Sequence, residues 1–221
     1  MNSHGQSDIS RPVSSNQAGP HPQLARTLQR HLSQDFHRPP AAHCIQAYQA
    51  LTARLADDPR PLVLDSFCGT GMSSQILAAR HPEHLVVGID QSAHRLAKHV
   101  AGANSNYLLL QAQVEDIWAL LLADGLRADY HYLLYPNPWP KSKHLQRRVH
   151  GHGSFGRLLA LGGRIELRSN WQLYVEEFGL AMHLCGRRGV VRQVTGDPAL
   201  TLFEEKYRRS GHPLWSFSAA P

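Results

Sequence analysis

The chain has 221 residues, 42% of them apolar and 8% aromatic, enough for one α/β domain with an extension and too much core-forming material for global disorder. No apolar run approaches a membrane span, Met1 to Gly19 offers no hydrophobic signal core, and three scattered cysteines (Cys44, Cys68, Cys185) suit a reduced, cytoplasmic protein. Lys and Arg number 23 against 17 acids, and the stretch Tyr130–Ile165 holds six of those cations and no acid, so one segment carries the whole excess and points to a local anionic partner.

Residues 1–20 are rich in Ser, Asn, Gln, Gly and Pro and read as a flexible tail. Two amphipathic patterns follow and define a helical extension over 21–58. Leu24, Leu28 and Leu32 repeat every four residues, and Ile45, Tyr48, Leu51 and Leu55 sit three or four apart, with Pro39-Pro40 between the two sets. From residue 59 the pattern alternates. Strands are predicted at 61–65, 84–89, 107–110, 130–135 and 164–167, with closing strands at 190–194 and 214–217. Helices are predicted at 72–80, 93–100, 114–122, 154–161 and 173–185. Alternation of this kind specifies an α/β, Rossmann-like, doubly wound and mostly parallel sheet over 59–221.

Two strand ends carry the cofactor chemistry. The first strand runs into Asp65-Ser-Phe-Cys-Gly-Thr-Gly71, where Gly69 and Gly71 allow a sharp turn and close approach of a ligand to the backbone. The second strand ends in Asp90, a carboxylate placed to accept hydrogen bonds from both hydroxyls of a ribose. A dinucleotide site would show three glycines, but position 74 is Ser. The acid-x-Phe-Cys-Gly-x-Gly turn resembles instead the first motif of class I methyltransferases that use S-adenosylmethionine (SAM). That resemblance implies contacts to SAM from Asp65, Gly69, Gly71 and Asp90, with Asp65 orienting the ammonium and Gln113, after the third strand, facing the adenine. Cys68 has no base beside it in sequence and reads as a small packing residue.

The fourth strand delivers Tyr135-Pro-Asn-Pro-Trp-Pro-Lys-Ser-Lys-His-Leu-Gln-Arg-Arg148. Three prolines within five residues stiffen this loop and hold Asn137 and Trp139 at the strand's edge, with cations following at once. The segment resembles the (F/Y)-P-D-P-W-P-K signature of bacterial tRNA (guanine-N7)-methyltransferases. Arg168-Ser-Asn-Trp-Gln-Leu-Tyr174 is similar to that family's T-D-W-x-x-Y, and Thr201-Leu-Phe-Glu204 with Gly211-His212 and Trp215 to its T-x-F-E…G-H-x-x-W tail. The resemblance spans about residues 60–217. It implies SAM as cofactor, tRNA as partner and methylation of the variable-loop guanine 46. It also implies Asn137 as a catalytic and SAM-contacting group, Lys141, Asn170, Thr201, Phe203 and Glu204 as guanosine contacts, and Lys143, His144, Arg147 and Arg148 as tRNA-backbone contacts. No obligate protein partner is expected; a monomer or a homodimer is.

The sequence departs from that pattern by having Asn at 137 and 170 and Gln at 113, where acids are usual. Guanine N7 carries an in-plane lone pair, so its methylation needs placement and exclusion of water rather than a base. An Asn at 170 offers guanine one acceptor and one mismatched donor where a carboxylate would offer two acceptors, so Asn170→Asp is expected to help, and Glu204 is the remaining carboxylate that could read the guanine edge. Asn137-Pro-Trp also resembles the motif of enzymes that methylate exocyclic amines, and a catalytically weakened RNA-binding paralogue is a third reading. Fifteen histidines show no metal-ligand spacing, so no metal is expected.

Overall fold

The computed structural model describes residues 9–34, 36–196 and 198–220. Within these residues seven strands form one sheet: β1 (Leu62–Ser66), β2 (Leu85–Asp90), β3 (Tyr107–Gln111), β4 (Ala128–Leu134), β5 (Arg164–Ser169), β6 (Gly189–Gln193) and β7 (Trp215–Ala219). Their spatial order is β3-β2-β1-β4-β5-β7-β6, with β7 antiparallel to both neighbours and every other pairing parallel. Every residue of β1 and β2 is buried, as expected of central parallel strands covered by helices on both faces.

Among the described residues eight α-helices flank the sheet: α1 (Leu24–Leu32), α2 (Ala42–Asp57), α3 (Met72–Arg80), α4 (Ala93–Leu96), α5 (Val114–Ala123), α6 (Phe155–Leu161), α7 (Gln172–Leu184) and α8 (Leu202–Arg209). The larger core joins α1, α2, α5, α6 and α7 around Trp118, Phe155, Tyr174 and Phe178. A smaller core lies under α3, where Val63, Leu77, Ala78 and Val86 pack with Tyr107, Tyr130 and Tyr132. The order reverses at β1, whose neighbours β2 and β4 run outward in opposite directions; ligands bind at such a switch point, beyond the carboxyl ends of the strands.

Three local expectations change. The helix predicted over 93–100 stops at Leu96, and the chain turns so that His99 bonds the Thr70 carbonyl and the Tyr107 hydroxyl. Helix α8 was not expected, although its start is legible: Thr201 Oγ1 accepts from the Glu204 N–H, half of a capping box. The flexible tail expected over 1–20 is corrected for residues 9–20. Ser10 N–H donates to Ser210, Ser15 Oγ to the Pro140 carbonyl, and the Gln17 amide nitrogen to Glu177, which ties the segment across the fold. Residues 1–8 lie outside the described residues. No described helix is long and apolar enough to cross a membrane.

Candidate active site

A cavity of about 830 Å³ opens at the carboxyl ends of β1 to β5. One end is walled by Phe67, Cys68, Gly69, Asp90, Gln113 and Trp118, the other by Tyr135, Asn137, Trp139, Asn170, Thr201 and Phe203. Of the residues expected to bind cofactor, Gly69, Asp90, Gln113 and Asn137 therefore share one wall system with four of the expected substrate and RNA residues, Asn170, Thr201, Phe203 and Arg147.

At the first end Asp90 is nearly buried. Its Oδ2 accepts from the Gly69 N–H at 3.0 Å, while Oδ1 accepts from the Ser92 N–H at 2.8 Å and meets Arg95 at 3.1 Å. The carboxylate thus fastens the glycine turn as well as facing the cavity. Gly69 has φ 63°, and a Cβ there would enter open space, so a ligand can rest against bare backbone. Gln113 precedes α5 without capping it; its Oε1 accepts from the Cys44 thiol at 3.1 Å, which fixes the amide plane. Burial, reinforced by the Asp65 and Asp90 charges, pushes the Cys68 thiol well above its ordinary value and keeps it protonated and unreactive.

Two cofactor expectations are corrected. Asp65 is fully buried, and one oxygen accepts from both Ser73 (2.6 Å) and Ser74 (2.7 Å), so it braces the turn from behind rather than touching a ligand. Burial pushes its carboxyl up to about 6 against the opposing effect of the serines. Gly71 also faces inward; with φ 76° it starts α3, and a Cβ there would lie 2.6 Å from Leu109.

At the second end the backbone is strained where it meets the cavity. Phe67, Tyr135 and Trp139 are the non-glycine residues with positive φ (68°, 55° and 47°) among those described, and all three line the cavity. Each such conformation costs about 1–2 kcal/mol and persists only where the surroundings impose it. Arg148 supplies that constraint at Trp139. Its guanidinium donates twice to the Trp139 carbonyl and once to Glu177 at 2.5 Å, with no solvent exposure at either side chain. His150 Nε2 bonds the same Glu177 oxygen at 2.7 Å, and Gln17 and the His21 N–H bond the other. Burial pulls His150 down, so the ring stays neutral and donates. Burial would raise Glu177, but the hydrogen bonds from His150 and Arg148 together with the Arg148 charge outweigh this and hold it down at about 2.

Arg148 is accordingly no tRNA contact; that expectation is corrected, because a buried, fully paired cation cannot reach a phosphate. Its neighbour Arg147 is exposed, with its guanidinium 4.7 Å from the Trp139 ring centroid on the cavity rim. His144 meets the same ring edge-on at 5.5 Å. Lys141 and Lys143 are exposed and do not line the cavity. Glu204 is corrected too: it has no exposure and is held by Arg168 (3.1 Å) and Arg208 (2.7 Å), so it cannot read a base. Burial, with the Glu204 charge, pushes the Tyr135 hydroxyl up, keeping it protonated. Cavity-lining residues that sequence reasoning missed include Glu115, Arg95, Lys98, Tyr207 and Arg209. Only α8's capping signal could have exposed the last two, by placing them one helical turn and more beyond Thr201.

The chain matches a family model described as "Putative methyltransferase" over residues 59–216. Among curated relatives it is 30% identical to the tRNA (guanine-N(7)-)-methyltransferase of Rubrobacter xylanophilus, over 73% of each chain. It is 29% identical to that of Sodalis glossinidius over 72% of each, and 28% identical to that of Zymomonas mobilis over 78% of this chain and 80% of the relative. Among solved structures, the 16S rRNA methyltransferase KamB aligns with a TM-score of 0.56 and 19% identity, covering 78% of this chain and 94% of that one. A 16S rRNA adenine-N1 methyltransferase from Catenulisporales acidiphilia aligns with a TM-score of 0.51 and 20% identity, covering 77% and 90%. At these identities the structural matches establish the fold.

Proposed function

Because the chain belongs to the tRNA (guanine-N7)-methyltransferase family, we propose that its cavity transfers the methyl group of SAM to N7 of a tRNA guanine, guanine 46 of the variable loop by the family resemblance. The observation that carries this reading is continuity. One cavity joins the Gly69–Asp90 end, suited to an adenosine, to the Asn137–Asn170–Thr201 end, where Asn170, Thr201 and Phe203 of the substrate motifs converge.

SAM supplies an electrophilic sulfonium methyl group when bound. Gly69 gives it backbone to lie on, Asp90 accepts from the ribose hydroxyls, and Gln113 presents its fixed amide toward the adenine. The residues of the other end orient the guanine. N7 needs no deprotonation, so rate comes from alignment of N7 with the methyl group and from excluding water. The strained Tyr135–Trp139 turn, clamped by Arg148, contributes to that alignment by holding Asn137 and Trp139 in the cavity wall. The product purine is cationic. Among the described residues no carboxylate lines the cavity beside Asn170 and Thr201, and the aromatic side chains of Tyr135 and Phe203 that line it there would stabilise it by a cation–π interaction worth about 0.5–2 kcal/mol. Arg147 and Lys143 engage the RNA backbone outside the rim.

Incubation with labelled SAM and bulk tRNA, followed by nucleoside identification by mass spectrometry, tests this. The expected product is 7-methylguanosine. An N2-methylguanosine or N6-methyladenosine product would assign the site to exocyclic amines instead.

A further inference from the structure

Asn170 stands where a carboxylate would match guanine better, yet its amide is not free to turn. Its Nδ2 lies 3.2 Å from Nδ1 of His212, and Nε2 of the same ring lies 2.9 Å from the Ser10 carbonyl oxygen. A carbonyl only accepts. In the neutral ring the single proton is therefore committed to Nε2, and Nδ1 is left with a lone pair. That lone pair must be met by the N–H face of Asn170, which fixes the amide with Oδ1 on the other side. Asn170 Oδ1 accepts no hydrogen bond from the described residues, and Asn170 lines the cavity.

The ring that enforces this is itself held in place. It stacks on Tyr207 with centroids 5.5 Å apart and planes 12° from parallel, and Tyr207 stacks in turn on Phe203. Ser10 is held from the other side by its N–H bond to Ser210. The chain from Ser10 to Asn170 thus has one consistent donor–acceptor polarity, and it begins in the segment before α1.

We propose that His212 is a specificity-determining positioning residue: anchored by the Ser10 carbonyl, it occupies the N–H face of Asn170 and leaves Oδ1 as an obligate acceptor for the Watson–Crick edge of the target base. This removes the mismatched donor and selects a base that presents N–H there, as guanine does at N1 and N2 and adenine does not at N1. The inference rests on the reading that Asn170 faces the guanine, and the test separates the two.

Steady-state kinetics on tRNA with saturating SAM would compare Asn170→Ala, His212→Ala and the double variant, with SAM affinity measured by calorimetry. Asn170→Ala is expected to raise KM for tRNA about tenfold, and His212→Ala about fivefold, both with SAM binding unchanged. The double variant should be no worse than Asn170→Ala alone, because His212 acts through that residue. A second pair guards against loss of folding. His212→Asn keeps an acceptor at the Nδ1 position, whereas His212→Gln keeps a donor toward Ser10 and lacks that acceptor. The proposal expects KM near wild type for His212→Asn and raised for His212→Gln; a merely structural anchor at Ser10 predicts the reverse. Additive effects in the double variant, or His212→Gln outperforming His212→Asn, would overturn the positioning role while leaving the guanine reading intact. An Asn170→Ala enzyme with unchanged KM would overturn both.

Discussion

Removing the charge of Glu177 should be among the most destabilising single changes in this protein. Glu177 and Arg148 are both without solvent exposure, and Glu177 also accepts from His150, Gln17 and the His21 N–H. In Glu177→Gln the guanidinium stays buried with no counter-charge, and breaking one side of such a pair costs about 3–5 kcal/mol. The carboxyl's own titration leads to a similar figure. It is held at about 2 against an ordinary 4.5, which at about 1.4 kcal/mol per tenfold in proton affinity is about 3 kcal/mol. For a chain of this length that corresponds to a fall in Tm of roughly 6–20 °C at pH 7. Because the folded-state value is depressed, the stabilisation is complete above about 4.5 and is lost as the pH falls toward 2. The gap between wild type and variant should shrink by about half at pH 3. Calorimetric melts of both proteins from pH 3 to 8 would measure this. Activity supplies a second readout: Arg148 also holds the Trp139 carbonyl, so kcat/KM for tRNA should fall more than SAM affinity. A variant melting within 2 °C of wild type at pH 7, or a gap that does not close in acid, would refute the reasoning.

Asp90→Ala should weaken SAM binding by about 1.5–3 kcal/mol, read by calorimetry, since a charged acceptor and the anchor of the Gly69 turn are lost together; unchanged affinity in a folded variant would remove Asp90 from the site. Neutralising Lys143 and Arg147 together should flatten the salt dependence of tRNA binding by about 2 slope units, whereas adding Arg148→Ala should lower Tm without a further change in slope. Asn170→Asp, which base matching alone favours, should give no gain in kcat/KM at pH 8, because its second oxygen would face the Nδ1 lone pair of His212; a tenfold gain in single-turnover assays would show that the ring does not hold that position.

The sequence by itself determined the sheet and the place of the cavity. Leu62-Val-Leu64 and Leu85-Val-Val-Gly-Ile89 are apolar runs each followed by an acid, Asp65 and Asp90, which is the pattern of a buried parallel strand reaching a site at its carboxyl end. The glycine turn and the proline-stiffened loop are likewise local statements about φ and chain stiffness, legible without partners. Pairing was not legible. Arg147 and Arg148 are adjacent and chemically identical, yet one lies over Trp139 at the rim and the other is buried against Glu177, 29 positions away. Glu204 sits in a motif that suggests a substrate contact, but Arg168, 36 positions earlier, takes it into the core. Ser10 reaches His212 across 202 positions, tying an apparent tail to the ring that bonds Asn170. The charge or hydrogen-bonding capacity of a side chain is fixed by its residue type. Whether that capacity faces water, a ligand or a buried partner is a matter of desolvation, and only the tertiary structure decides which groups leave water together.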